Sequence, residues 1–140
     1  MKTNFFAIVV LMILSSFVSV SAQNRLPYVL RGDVAGCDTV YTLPNQKAEF
    51  PGGMQAMYDF LNDNIKNNVN FVPAMSSRRV LLKMLVDSEG AIVETKLMMP
   101  TSTSLDDDLL RVVSTFPDMV PARYGNREVC SYLIIPLGIE

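Results

Sequence analysis

Residues 79–99, RVLLKMLVDSEGAIVETKLMM, decide how the rest of the chain is read. On the first arm Val80, Leu82, Met84 and Val86 alternate with Leu81, Lys83 and Leu85; on the second Val93, Thr95 and Leu97 alternate with Ile92, Glu94 and Lys96. A period of two is that of a strand with one buried face, so the stretch predicts a hairpin turning through Asp87-Ser88-Glu89-Gly90. A two-residue loop at Glu89-Gly90 sets Val86 opposite Val93, Met84 opposite Thr95 and Leu82 opposite Leu97, with both apolar sets on one face. A loop over residues 87–90 keeps that parity, and a slip by a single residue destroys it.

Helical periodicity flanks the hairpin on both sides. Upstream, Met54, Met57, Tyr58, Leu61 and Ile65 recur at helical spacing, with Asp59, Asn62 and Asp63 on the other side. Pro51 suits the start of that helix, where its missing amide hydrogen would have no partner anyway. Downstream, Leu105, Leu109, Val112, Val113 and Phe116 form a second stripe that Pro117 ends. Ser104 is the expected cap, and Asp106, Asp107 and Asp108 fall in the first turn, where the helix dipole favours negative charge.

The last element, residues 129–137, reads as a strand rich in β-formers. Pro136 cannot donate a ladder hydrogen bond, which places this strand at a sheet edge, at least near its end. The expected order is helix, strand, strand, helix, strand: an α+β domain with an antiparallel three-stranded sheet packed against two helices. Residues 23–48 carry Pro27, Gly32, Gly36 and Pro44 without a sustained period and read as an extended lead-in. Within it Tyr28-Val29-Leu30 and Thr39-Val40-Tyr41 are short pieces that could add to a sheet edge.

Residues 1–22 look like an address. Lys2 is followed by a mostly apolar run broken by Ser15, Ser16 and Ser19, and Val20-Ser21-Ala22 suits cleavage by a signal peptidase. The reading is therefore export to the periplasm, with inner-membrane anchoring if the leader is retained. Cys37 and Cys130 are the only two cysteines and both lie in the exported part. Two states stay open for them: a disulfide, which persists in that compartment, or a pair of buried thiols.

Composition and chemistry exclude much. The 140 residues carry a net charge of −2, which argues against nucleic acid, a ligand that wants a basic face. Histidine is absent, which removes serine-histidine triads, histidine zinc sites and the commonest general base. Three consecutive aspartates on a helix point in different directions and converge poorly on one ion. Gly52-Gly53 lacks the lysine and spacing of a phosphate loop, and Met54, Met57 and Met84 read as core filling. No metal, cofactor or catalytic residue is assigned, and the chain is read as a non-enzyme.

Residues 49–140 resemble the C-terminal domain of TonB, in the divergent form found as small exported proteins. Phe50-Pro51-Gly52-Gly53 with Phe60, Leu61 and Asn64-Ile65-Lys66 looks like that family's opening motif, and Val86-Asp87-Ser88-Glu89-Gly90 like its strand-turn signature. Ser104-Leu105-Asp106 with Leu109, Arg111, Val112 and Val113 resembles its second helix, and Pro121-Ala122 with Ile135-Pro136-Leu137 its closing strand. The resemblance implies binding of a short segment of an outer-membrane transporter, or of another periplasmic protein, by strand addition. The expected docking edge is Cys130, Ser131, Tyr132, Leu133, Ile134 and Ile135, with Ser131, Leu133 and Ile135 on one face. The alternative is a structural or sensor-associated interaction subunit without energy transduction, whose edge is filled by a partner protein or, in a homodimer, by a second copy.

Overall fold

The computed structural model describes residues 29–34, 36–73 and 78–140, with side chains from residue 36 onward. The expectation for residues 1–22 lies outside them. Two helices, α1 (Gly53–Asn64) and α2 (Thr103–Val113), accompany β1 (Val29–Val34), β2 (Cys37–Tyr41), β3 (Phe71–Pro73), β4 (Arg79–Val86), β5 (Ile92–Leu97), β6 (Ala122–Tyr124) and β7 (Arg127–Ile139). The α+β class stands, and α1, β4, β5, α2 and β7 follow one another in the expected relative order, but β3 comes between α1 and β4 and β6 between α2 and β7.

The central hairpin shows how the register is set. Leu82 pairs with Leu97 and Met84 with Thr95, as the pattern requires, but Val86 faces Ile92 rather than Val93. The loop has three residues rather than two or four, since Asp87 N–H donates to the Ala91 carbonyl at 2.9 Å. The Asp87 carboxylate accepts the backbone N–H groups of Glu89 and Ala91, each at 2.9 Å, and Gly90 takes φ 93°. An odd loop slips one arm by a residue, and a bulge beside Val86 takes the slip back, with Val93 as the extra residue. Ile92 therefore packs on the main core while Val93 crosses to the other face beside Leu85.

The sheet is wider than three antiparallel strands, which corrects that part of the expectation. Its order is β1-β2-β7-β4-β5, with β3 and β6 also bonded to β7. The β7–β4–β5 antiparallel trio is present, but the lead-in turns at Gly36 into the β1–β2 hairpin, and β2 joins β7 in parallel. Central β7 thus corrects the placement of the last strand at an edge.

Both helices cover one face. Met57, Tyr58 and Leu61 of α1 and Leu105, Leu109, Val112 and Val113 of α2 are buried against Val80, Leu82, Met84, Ile135 and Leu137. Phe50, Phe60 and Phe116 meet with ring centroids 5.0–5.8 Å apart and join the chain before α1 to the end of α2. Met54 departs from its expected core position and is 46% exposed, because it sits in the first helical turn, over a surface groove beside Val120 and Leu133. Ser102, not Ser104, occupies the N-cap position of α2, without a side-chain bond to the helix. Asp106 fixes that start by accepting from both Thr101 N–H and Thr101 Oγ1.

The opposite face holds a smaller cluster of Cys37, Val40, Leu85 and Cys130, with Val93 and Tyr132 packed against it.

Candidate functional site

The long margin of β7 that faces away from β4 gathers most of the residues expected to bind. Backbone parity decides which groups lie there. Ile139 N–H donates to the Arg78 carbonyl at 2.9 Å, so odd-numbered residues of β7 bond towards β4. Even-numbered residues bond away from it, as Gly138 does with Val72 of β3 and Glu140 does with Asn70. Tyr132, Ile134 and Pro136 therefore direct their backbone polar groups to the far side.

That margin is filled at both ends by the chain itself. Val40 and Tyr41 of β2 pair with Cys130 and Ser131, and β3 pairs with residues 137–139. Cys37 and Cys130 are joined by a disulfide across a sequence separation of 93, with Cα atoms 6.1 Å apart. Ser131 Oγ donates to the Tyr41 carbonyl at 2.8 Å, and Tyr41 packs its ring 5.1 Å from that of Tyr124. Cys130 and Ser131 are thus not part of an open edge, which corrects that end of the expected docking strand. The physical reason is that the lead-in carries its own β-forming piece and a covalent tether that holds it in place.

Among the described residues no strand pairs on this side with residues 132–136. Pro136 sits inside this window, so the ring that could not donate to a ladder is not asked to. Of the remaining expected residues, Ile135 is buried and Leu133 half-buried on the helix side, while Tyr132 and Ile134 point to the other face, Ile134 at 50% exposure. Beside the window lies a groove of about 520 Å³, where Met54, Val120 and Leu133 provide apolar wall and Gln46, Glu49 and Arg123 polar rim. Gln46 and Glu49 are fixed by backbone bonds to Arg123 and Val120.

Tyr132 is held between charges. Lys83 Nζ lies 3.8 Å over its ring, and burial, followed by the Glu94 carboxylate that accepts its hydroxyl, pushes its pKa up.

The aspartate run resolves into separate duties. Asp106 serves the cap, Asp107 is exposed, and Asp108 is buried at the junction of α2 with the loop after α1. Asp108 Oδ2 accepts from Lys66 N–H at 2.6 Å, Asn67 N–H at 3.1 Å and Asn67 Nδ2 at 3.1 Å, and Oδ1 accepts from Arg111. Burial alone would push this carboxyl up; Arg111 and the three N–H donors outweigh it and hold the pKa at about 2. No group of three or more potential metal ligands occurs among the described residues.

Sequence reasoning missed this junction and the Asn45 side chain that accepts Gly125 N–H at 2.6 Å at the β6–β7 turn, and it let Thr39-Val40-Tyr41 add to a sheet edge without identifying β7 as the strand it joins. A signal for the β2 pairing was present, since Thr39-Val40-Tyr41 next to Cys37 offers both a strand and a tether. Compared with known proteins, the chain matches no family model, no curated protein and no solved structure.

Proposed function

We propose that this protein is a non-enzymatic binding module of the periplasm that takes an extended segment of a partner, an outer-membrane transporter by the resemblance to the TonB C-terminal domain, as an added strand. The observation that carries the reading is the window along β7 at residues 132–136, where among the described residues no strand pairs on the side away from β4. Backbone groups there offer hydrogen bonds to an incoming segment, and the groove under Leu133 and Met54 offers side-chain contacts to select it. The parallel seat of β2 on the same margin supports the idea that this margin accepts strands.

A test is titration of the purified protein with transporter-plug peptides, followed by amide NMR. The Ile134 amide is expected to shift most, and Ile134→Pro, which removes a donor that β4 does not use, is expected to weaken binding by about tenfold or more. Binding that leaves every amide of residues 132–135 unmoved sinks the proposal.

The covered ends of the margin favour a second reading, a structural or sensor-associated subunit whose acceptor strand is satisfied in cis. Peptide titrations with no response, in a protein that is recovered bound to a membrane sensor, would select it.

A further inference from the structure

We propose that the outer edge of β5 is a self-association edge, at which a second copy of this chain pairs antiparallel about a two-fold axis through Thr95. The strand is terminal in the sheet, and among the described residues nothing pairs with its outer side. Three observations fix the occupant and the register.

The first is parity. Met98 N–H donates to the Leu81 carbonyl at 2.8 Å, so even-numbered residues of β5 bond inward to β4, and Thr95 and Leu97 turn their backbone groups outward. Two outward residues must meet in an antiparallel pair, which a two-fold axis through Thr95 satisfies.

The second is charge. With Thr95 on the axis, Glu94 of one copy stands directly opposite Lys96 of the other, twice. Moving the axis to the neighbouring positions allowed by parity sets Glu94 against Glu94 or Lys96 against Lys96. Like charges directly opposite each other are destabilising, so one register is selected.

The third is an unbalanced pair already present. Lys83 and Lys96 are cross-strand partners within the monomer. Lys83 is turned onto the Tyr132 ring, while the acid on their own face, Glu94, accepts the Tyr132 hydroxyl. Lys96 is exposed and makes no ion pair among the described residues. A carboxylate arriving from outside β5 is what this arrangement lacks, and a second copy brings one. Met98 and Met99, 49% and 46% exposed immediately after the strand, would add apolar contact at the ends of the paired stretch.

The experiment is sedimentation equilibrium of the purified protein over a wide concentration range, in low and high salt. The expected result is a weak dimer that salt weakens further. Lys96→Glu and Glu94→Lys are each expected to weaken it by about tenfold or more, since each faces like charges. An equimolar mixture of the two variants is expected to recover the dimer, because every pair in the mixed species is opposite in sign. Thr95→Pro, which removes a central outward amide that β4 does not use, is expected to abolish it with the far-UV circular dichroism spectrum retained. A wild-type protein monomeric at every concentration, a dimer indifferent to Lys96→Glu, or variants that do not recover on mixing overturns the proposal.

Discussion

Gly90 carries two constraints at once. Its φ of 93° lies where a side chain is strained, and a Cβ there would overlap the Met119 carbonyl, whose own N–H donates to the Gly90 carbonyl at 2.7 Å. Gly90→Ala is therefore expected to cost about 2 kcal/mol or more in urea unfolding; a loss under about 0.5 kcal/mol would show that the turn adapts. Asp108 makes a prediction about acid. Its folded pKa of about 2 lies below the unfolded value, so its contribution is present above about pH 4 and fades as the pH falls towards 2. Asp108→Asn is expected to remove that component, leaving a shallower decline of stability over this interval in acid titrations. Gly90 was legible in the sequence as a turn residue. Its contact with Met119 was not, because nothing local ties residues so far apart. Asp108 was hidden behind its neighbours, since three identical residues in a row carry no sign of which one faces a distant loop.

The hairpin and the helical stripes were legible among the elements because their periods survive any local adjustment. Leu82 meets Leu97 and Met84 meets Thr95 both with a two-residue loop and with the three-residue loop plus its bulge, which is also why the odd loop and its bulge could not be read: their shifts cancel before Met84. The cap of α2 misled because Ser102 and Ser104 are alike in type, and the choice rests on Asp106 reaching back to Thr101. Pro136 was read correctly as a residue without a ladder donor, but that is a statement about one side of one position and not about the whole strand. β2 is the element most dependent on a tether. It meets β7 at two residue pairs, and the disulfide closes a loop spanning 93 residues. On the chain-entropy model the double variant Cys37→Ser, Cys130→Ser is expected to lose about 4 to 5 kcal/mol. Hydrogen exchange should show protection in β2 lost while that of β4 against β7 persists. Equal loss in both would mean that β2 is integral to the sheet and not a separable addition.

At the scale of the molecule, β7 is bonded to β2, β3, β4 and β6, and among the described strands only β1 and β5 reach it through another strand. The amides shared by β4 and β7 are therefore expected to exchange last, near the rate of global unfolding. Faster exchange there than in the β4–β5 hairpin would contradict a sheet organised on β7. Each strand that touches β7 precedes it in chain order, and β2 does so by the greatest distance. During synthesis β2, β3, β4 and β6 therefore all emerge before the strand they share, so the sheet as a whole closes only once residues 127–139 have left the ribosome.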